Sequence, residues 1–148
     1  MSKFYKKVVV IGAGTMGSGI AAHLANSKIH TILLDLPSEG EDKNKISNNA
    51  IVNIKKSDPP LLIERNCLNY IQAGNLEDDL HHLGDADWII EVDAGNLSGI
   101  IKDFTNNNKV ILTFVTEQKM WGIYTPKRAE LYKSYVKVIF NEILLSIK

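Results

Sequence analysis

Lys7-Val8-Val9-Val10-Ile11 runs straight into Gly12-Ala13-Gly14-Thr15-Met16-Gly17, and no other stretch limits the fold of this chain so tightly. An unbroken run of branched apolar residues predicts a strand buried on both faces, as in a parallel sheet. The glycine turn must then pass the chain into a helix. Gly12 permits the tight turn off the strand. Gly14 lacks a Cβ, so another molecule can approach its backbone, and Gly17 lets the helix pack closely on the strand. From Thr15 to Lys28 the apolar residues Met16, Ile20, Ala21, Leu24 and Ala25 recur at helical spacing. Thr31-Ile32-Leu33-Leu34 is a second buried strand ending at Asp35. Val8 to Asp35 is therefore a β-α-β unit, in which parallel strands need a right-handed crossover.

Such a turn aims the unpaired N–H groups and the positive dipole end of the helix at an anion. Asp35 follows Gly17 by eighteen residues. An acid there accepts hydrogen bonds from ribose hydroxyls and repels a 2′-phosphate. The combination predicts a dinucleotide site for NAD in preference to NADP. Gly12, Ala13, Gly14, Thr15, Met16 and Gly17 would hold the pyrophosphate and Asp35 the adenosine ribose. FAD uses a similar turn and is the lesser alternative. The bland reading is a glycine-rich turn in a generic parallel fold.

Further on, Lys43 to Lys56 predicts a helix with Ile46, Ala50, Ile51 and Ile54 on one face, ended by Asp58-Pro59-Pro60. Leu61 to Leu68 predicts a short helix, and Asn69 to Gly74 reads as an edge strand or a loop. Leu76 to Leu83, with Glu77, Asp78 and Asp79 near its start, predicts a helix with a solvated acidic beginning. Trp88 to Val92 is a third buried strand, on the cofactor side, and Val110 to Val115 a fourth candidate. Ala129 to Ile147 repeats apolar residues as an amphipathic helix. The expected fold is α/β, an incomplete Rossmann-like doubly wound parallel sheet of about four strands with helices on both faces. The C-terminal helix has no assigned packing. The expected organisation is a dinucleotide-binding domain over residues 1–104 and a tail over 105–148, a strand plus helix, packed on the same domain.

Composition narrows the function classes. At 148 residues the chain fits one domain; 45% apolar and 23% charged residues describe an ordinary globular protein. Lys plus Arg equal Asp plus Glu, so nothing global favours nucleic acid or an anionic membrane. The single cysteine, Cys67, excludes an internal disulfide and paired-cysteine metal motifs, and a buried structural thiol is expected. The basic start before Val8 is not expected to be a signal peptide, because Gly12 and Gly14 break the apolar run, and no run approaches the length needed to span a bilayer. A cytoplasmic location is the expectation.

His23 falls on the helix side away from the apolar stripe and reads as a surface or packing residue rather than a catalytic one. His81 and His82 are adjacent, so on a helix they would face different directions and would need a third ligand to hold a metal. No metal site is expected. Trp121, Tyr124, Tyr132 and Tyr135 read as packing residues, and Lys127-Arg128 is too small a cluster for a nucleic-acid face.

Several segments resemble the 3-hydroxyacyl-CoA dehydrogenase family. They are KVVVIGAGTMGSGIAAHLANS, the LLDL that follows, and NAIVNIKKSDPPLLIERNCLNYIQAGNLEDDLHHLGDADWIIEV. The similarity runs from Lys7 to Val92, about 60% of the chain. Met16, GNLEDDL and DADWIIE are family features beyond a generic dinucleotide pattern. The resemblance implies NAD-dependent oxidation of the 3-hydroxyl of acyl-CoA in fatty-acid β-oxidation. It also implies a separate helical domain for substrate and dimerisation.

Past Val92 the pattern is lost. Where the family has a glutamate on the nicotinamide side and a lysine five residues later, an ungapped count finds Gly95 and Ile100. Asn96, Leu97 and Phe104 still fit. Lys102 is two residues off register, about 200° around a helix. The family's Ser-Asn-Thr-Ser segment and its catalytic histidine have no counterpart: Thr116-Glu117-Gln118-Lys119 follows the last strand, and no histidine follows His82. Hydride transfer from an alcohol needs such a base near the carbinol. No catalytic residue is therefore assigned. The expectation is an NAD-binding fragment, inactive by itself, from a truncated, frameshifted or recombined gene. Two alternatives stand beside it. One is half of a split enzyme whose partner chain brings the histidine and the acyl-CoA site. The other is a non-enzymatic nucleotide-binding or interaction module. A sheet lacking its substrate domain should leave an edge or apolar surface open, which predicts self-association or poor solubility; a homo-oligomer or a partner chain would cover it.

Overall fold

A computed structural model describes residues 5–92 together with the strand at 111–115. Strand β1 (Lys7–Ile11) leads through the glycine turn into helix α1 (Thr15–Asn26) and strand β2 (His30–Asp35). Helix α2 (Lys45–Lys56), a short 3₁₀ helix at Arg65–Tyr70, and strand β3 (Ile71–Asn75) follow. A second 3₁₀ helix at Leu80–Leu83 leads to β4 (Trp88–Val92), and β5 is Ile111–Val115. All strand pairs are parallel, in the order β3-β2-β1-β4-β5. Ile11 pairs with Leu34 on one side and with Glu91 on the other, so the strand ends line up.

Alternation along the strands sends successive side chains to opposite faces. Val8, Val10, Leu33, Ile90 and Val92 pack on one face with Ala21, Ala22, Leu24 and Ala25 of α1 and Ala50 and Ile54 of α2. The small alanines let α1 lie close to the sheet. On the other face Val9, Ile11, Ile32, Leu34 and Ile89 meet Leu83 and Ala86. Val8, Val9, Val10 and Ile11 are fully buried, each worth about 1.5–3 kcal/mol of transfer free energy. This confirms that β1 is buried on both faces.

The sheet has five strands, one more than the count of about four. The additional strand is β3, the segment read as an edge strand or a loop. Its sequence Ile-Gln-Ala-Gly-Asn carries one branched apolar residue, too little to separate a strand from a loop. The helix expected over Leu76 to Leu83 is replaced by a turn and the 3₁₀ helix at Leu80–Leu83. The acids at its start are solvated as expected, Glu77 and Asp78 being exposed, but they also bind Asn75 and Lys43, as described below. The His81 and His82 rings do not diverge, because their backbone is not α-helical; their centroids lie 4.2 Å apart. Trp88 begins β4 and stacks near Tyr5 with ring centroids 5.3 Å apart. It therefore sits at the amino end of the sheet, away from the glycine turn. Gly95, Ile100, Lys102 and the helix expected over 129–147 lie outside the described residues. Among the described residues no helix is long and apolar enough to cross a membrane, and no group of three His, Cys, Asp or Glu side chains could hold a metal ion.

Candidate dinucleotide site

From β1 the chain steps outward through β2 to β3, then returns to lay β4 on the other side of β1. The direction of winding reverses at the carboxyl ends of β1 and β4, and ligands of open α/β sheets bind in the crevice at such a reversal. The glycine turn occupies that point.

Each glycine has a different reason to lack a side chain. Gly12 has φ +105°, and a Cβ there would lie 2.2 Å from the carbonyl oxygen of Val92. A Cβ on Gly17 would lie 1.7 Å from the carbonyl oxygen of Gly12. Both are excluded by backbone, so both glycines serve the packing of turn, helix and β4. Gly14 differs, because a Cβ there would meet nothing within 4 Å. Its bareness serves no internal contact among the described residues; it leaves open space over the turn.

Gly14 is also the N-cap of α1, where no side chain caps the helix and no acid lies in the first turn. The first N–H groups of a helix have no intrahelical partners, so this end is suited to an anion. Gly14, Thr15 and Met16 are exposed, whereas Ala13 and Gly17 are buried.

Hydrogen bonds fix the turn from below. The Gly12 N–H donates to the Leu34 carbonyl at 2.7 Å and the Ser18 N–H to the Gly14 carbonyl at 2.9 Å. The buried Ser18 hydroxyl donates to the Ala13 carbonyl at 3.2 Å. Asp35, half-buried at the end of β2, accepts from the Ala13 N–H at 2.6 Å and from the Leu36 N–H at 2.7 Å. The acid and the glycine turn, 22 residues apart in sequence, are thus in direct contact. A carboxylate beside bare backbone at a helix N-terminus fits the ribose and pyrophosphate of a dinucleotide.

Sequence reasoning missed the residues behind Asp35. Asn75 ends β3 and is 2% exposed. Lys43 reaches from the far end of the loop after β2 to Glu77 at 2.9 Å and Asp78 at 3.4 Å. The hydrogen bond to Glu77 raises the pKa of the Lys43 ammonium above its ordinary value; desolvation opposes this and the charge of Asp78 adds to it. The signal in the sequence was an asparagine just before Leu76 and three acids, a pattern that favours a side-chain-closed turn over a helix.

The family model for the NAD binding domain of 3-hydroxyacyl-CoA dehydrogenase matches residues 7–107, about two thirds of the chain. The chain belongs to the 3-hydroxyacyl-CoA dehydrogenase family. NAD is the cofactor of this family's domain, and the bare, uncapped turn with its acid fits it. A relative in Bacillus subtilis named as a probable 3-hydroxyacyl-CoA dehydrogenase is 41% identical over 112 residues, 66% of this chain and 14% of its own length. One of the same name in Deinococcus radiodurans is 43% identical over 88 residues, 58% of this chain and 25% of its own. The chain thus spans between about a seventh and a quarter of these relatives. A crystal structure of (S)-3-hydroxybutyryl-CoA dehydrogenase from Ralstonia eutropha matches with a TM-score of 0.50 and 22% identity, over 75% of this chain and 41% of that one. At that identity the likeness is one of fold. These findings agree with the expected family, fold and cofactor.

Proposed function

We propose that this chain is the NAD-holding part of an enzyme that oxidises 3-hydroxyacyl-CoA to 3-oxoacyl-CoA. The pyrophosphate rests over Gly14 at the N-terminus of α1, along Ala13, Thr15 and Met16, while Gly12 and Gly17 shape the turn. Asp35 accepts hydrogen bonds from the adenosine ribose hydroxyls. The observation that carries this reading is the open space at Gly14 beside the Asp35 carboxylate, itself 2.6 Å from the Ala13 N–H. NAD, when bound, supplies the hydride acceptor; the residues of this chain bind it and orient it.

By itself the chain binds but does not turn over. In the family a histidine takes the hydroxyl proton, and in this sequence no histidine follows His82. Two measurements test this. Calorimetry with NAD and NADP should give saturable NAD binding and weaker NADP binding. An assay with NADH and acetoacetyl-CoA should show no NADH consumption. Steady turnover by the pure chain would contradict the missing base, and absence of NAD binding would contradict the site.

A further inference from the structure

Asn75 is placed where a leucine-sized apolar residue would have been the simpler choice, since it ends a strand and is 2% exposed. A buried amide is tolerated only if its hydrogen bonds are made, and here all four are. Its Nδ2 donates to Asn44 Oδ1 at 2.6 Å and to Asp78 Oδ2 at 3.2 Å. Its Oδ1 accepts from the N–H groups of Glu77 at 2.9 Å and Asp78 at 2.8 Å. A primary amide has two donor hydrogens and two acceptor lone pairs, so none is left over. The partners also fix the amide's orientation, because the flipped form would face its oxygen toward Asp78 and its hydrogens toward two N–H groups. The Asn75 N–H donates to Asp79 Oδ2 at 2.8 Å. Aspartate at this position would lose both donors and add a charge beside Asp78, whereas serine would keep one short hydroxyl.

The position matters as much as the saturation. Asn75 is the register partner of Asp35 across β2 and β3, and the next N–H, of Leu76, donates to the Asp35 carbonyl at 2.9 Å. Asn44, which Asn75 grips, is the N-cap of α2 and closes the segment that begins at Asp35. Residues 75 and 76 therefore fasten both ends of the stretch from Asp35 to Asn44, and Lys43 adds a surface tie to Glu77 beside it. That stretch begins with the acid.

We infer that Asn75 is a positioning residue for the adenosine-ribose end of the dinucleotide site, acting through Asp35 and the loop that Asn44 closes. This rests on the NAD reading above. It adds that the preference for NAD over NADP depends on a buried amide that never touches the cofactor. If Asn75 only closed the sheet edge, its loss would weaken every ligand alike.

A double-mutant cycle separates the two roles. Calorimetric affinities for NAD and NADP are measured on the full chain for wild type, Asn75→Ser, Asp35→Asn and the double variant, with Asn44→Ala as a milder cut that leaves Asn75 three of its side-chain bonds. Asn75→Ser and Asn44→Ala should each weaken NAD about tenfold while leaving NADP unchanged. In the Asp35→Asn background the same changes should cost less than about twofold. Equal weakening of NAD and NADP, or effects of Asn75 and Asp35 that simply multiply, would overturn the inference. If Asn75→Ser does not fold, Asn44→Ala decides in the same way. A wild-type chain that binds no NAD would sink the functional reading, and this inference with it. Normal wild-type binding with multiplying effects would sink only the role of Asn75.

Discussion

The three glycines of the turn look alike in the sequence and differ in the fold. Gly12→Ala would force a side chain onto the Val92 carbonyl at a φ of +105°. A destabilisation of about 2–4 kcal/mol is expected, read by urea denaturation. Gly17→Ala, aimed at the Gly12 carbonyl, should behave the same way. Gly14→Ala meets nothing, so stability should change by no more than about 1 kcal/mol, the cost of a poorer N-cap. NAD affinity should nonetheless fall if the phosphates sit as proposed, because the new methyl would occupy the open space over the turn. Loss of stability without selective loss of binding at Gly14 would place that glycine among the packing residues. At Asp35, replacement by Asn removes the charge that, on the function proposed above, would meet ribose hydroxyls and repel a 2′-phosphate. Binding of NAD should weaken and the gap between NAD and NADP should narrow.

At the scale of elements, strands buried on both faces were legible because each is a near-continuous run of branched apolar residues. β1, β2, β4 and α1 fall where Val8–Ile11, Thr31–Leu34, Trp88–Val92 and the Ala-rich helix pattern put them, within two residues at each end. β3 was ambiguous because Gln72, Ala73, Gly74 and Asn75 carry no strand pattern. Even Gly74 is set by tertiary contacts, since a Cβ there would lie 2.7 Å from a Leu34 methyl and 2.8 Å from Asp79. The Asp35 contact with the turn was legible from spacing alone. The Asn75 network was not, because its key partner Asn44 lies 31 residues away and comes near only in the fold. The same crossover from β3 to β4 carries a pH-sensitive contact. The Lys7 ammonium donates to His82 Nδ1 at 3.0 Å, which requires that nitrogen to be unprotonated, and also pairs with Asp85. Burial, then the positive charges of Lys7 and His81, push His82 below its usual value near 6.5; Asp79 and Asp85 oppose them. The unfolded chain therefore takes up this proton first. His82 costs no stability above that value and destabilises the fold as pH falls through 6.5 and below. Thermal melts between pH 7.5 and 5 should show a steeper acid loss for wild type than for His82→Gln. Parallel curves would remove His82 from the account.

Across the whole molecule, the strand order β3-β2-β1-β4-β5 sets the reversal point beside the glycine turn. It also puts Trp88 at the opposite end of its strand, which makes Trp88 emission a poor reporter of the site. Site-resolved backbone signals serve better. The most direct test is a titration of NAD into isotope-labelled protein, following amide chemical shifts. Saturable shifts concentrated at Ala13, Gly14, Thr15, Met16, Asp35 and Leu36 are predicted. No saturable shifts, or shifts gathered away from the carboxyl ends of β1 and β2, would contradict the seat proposed for the cofactor.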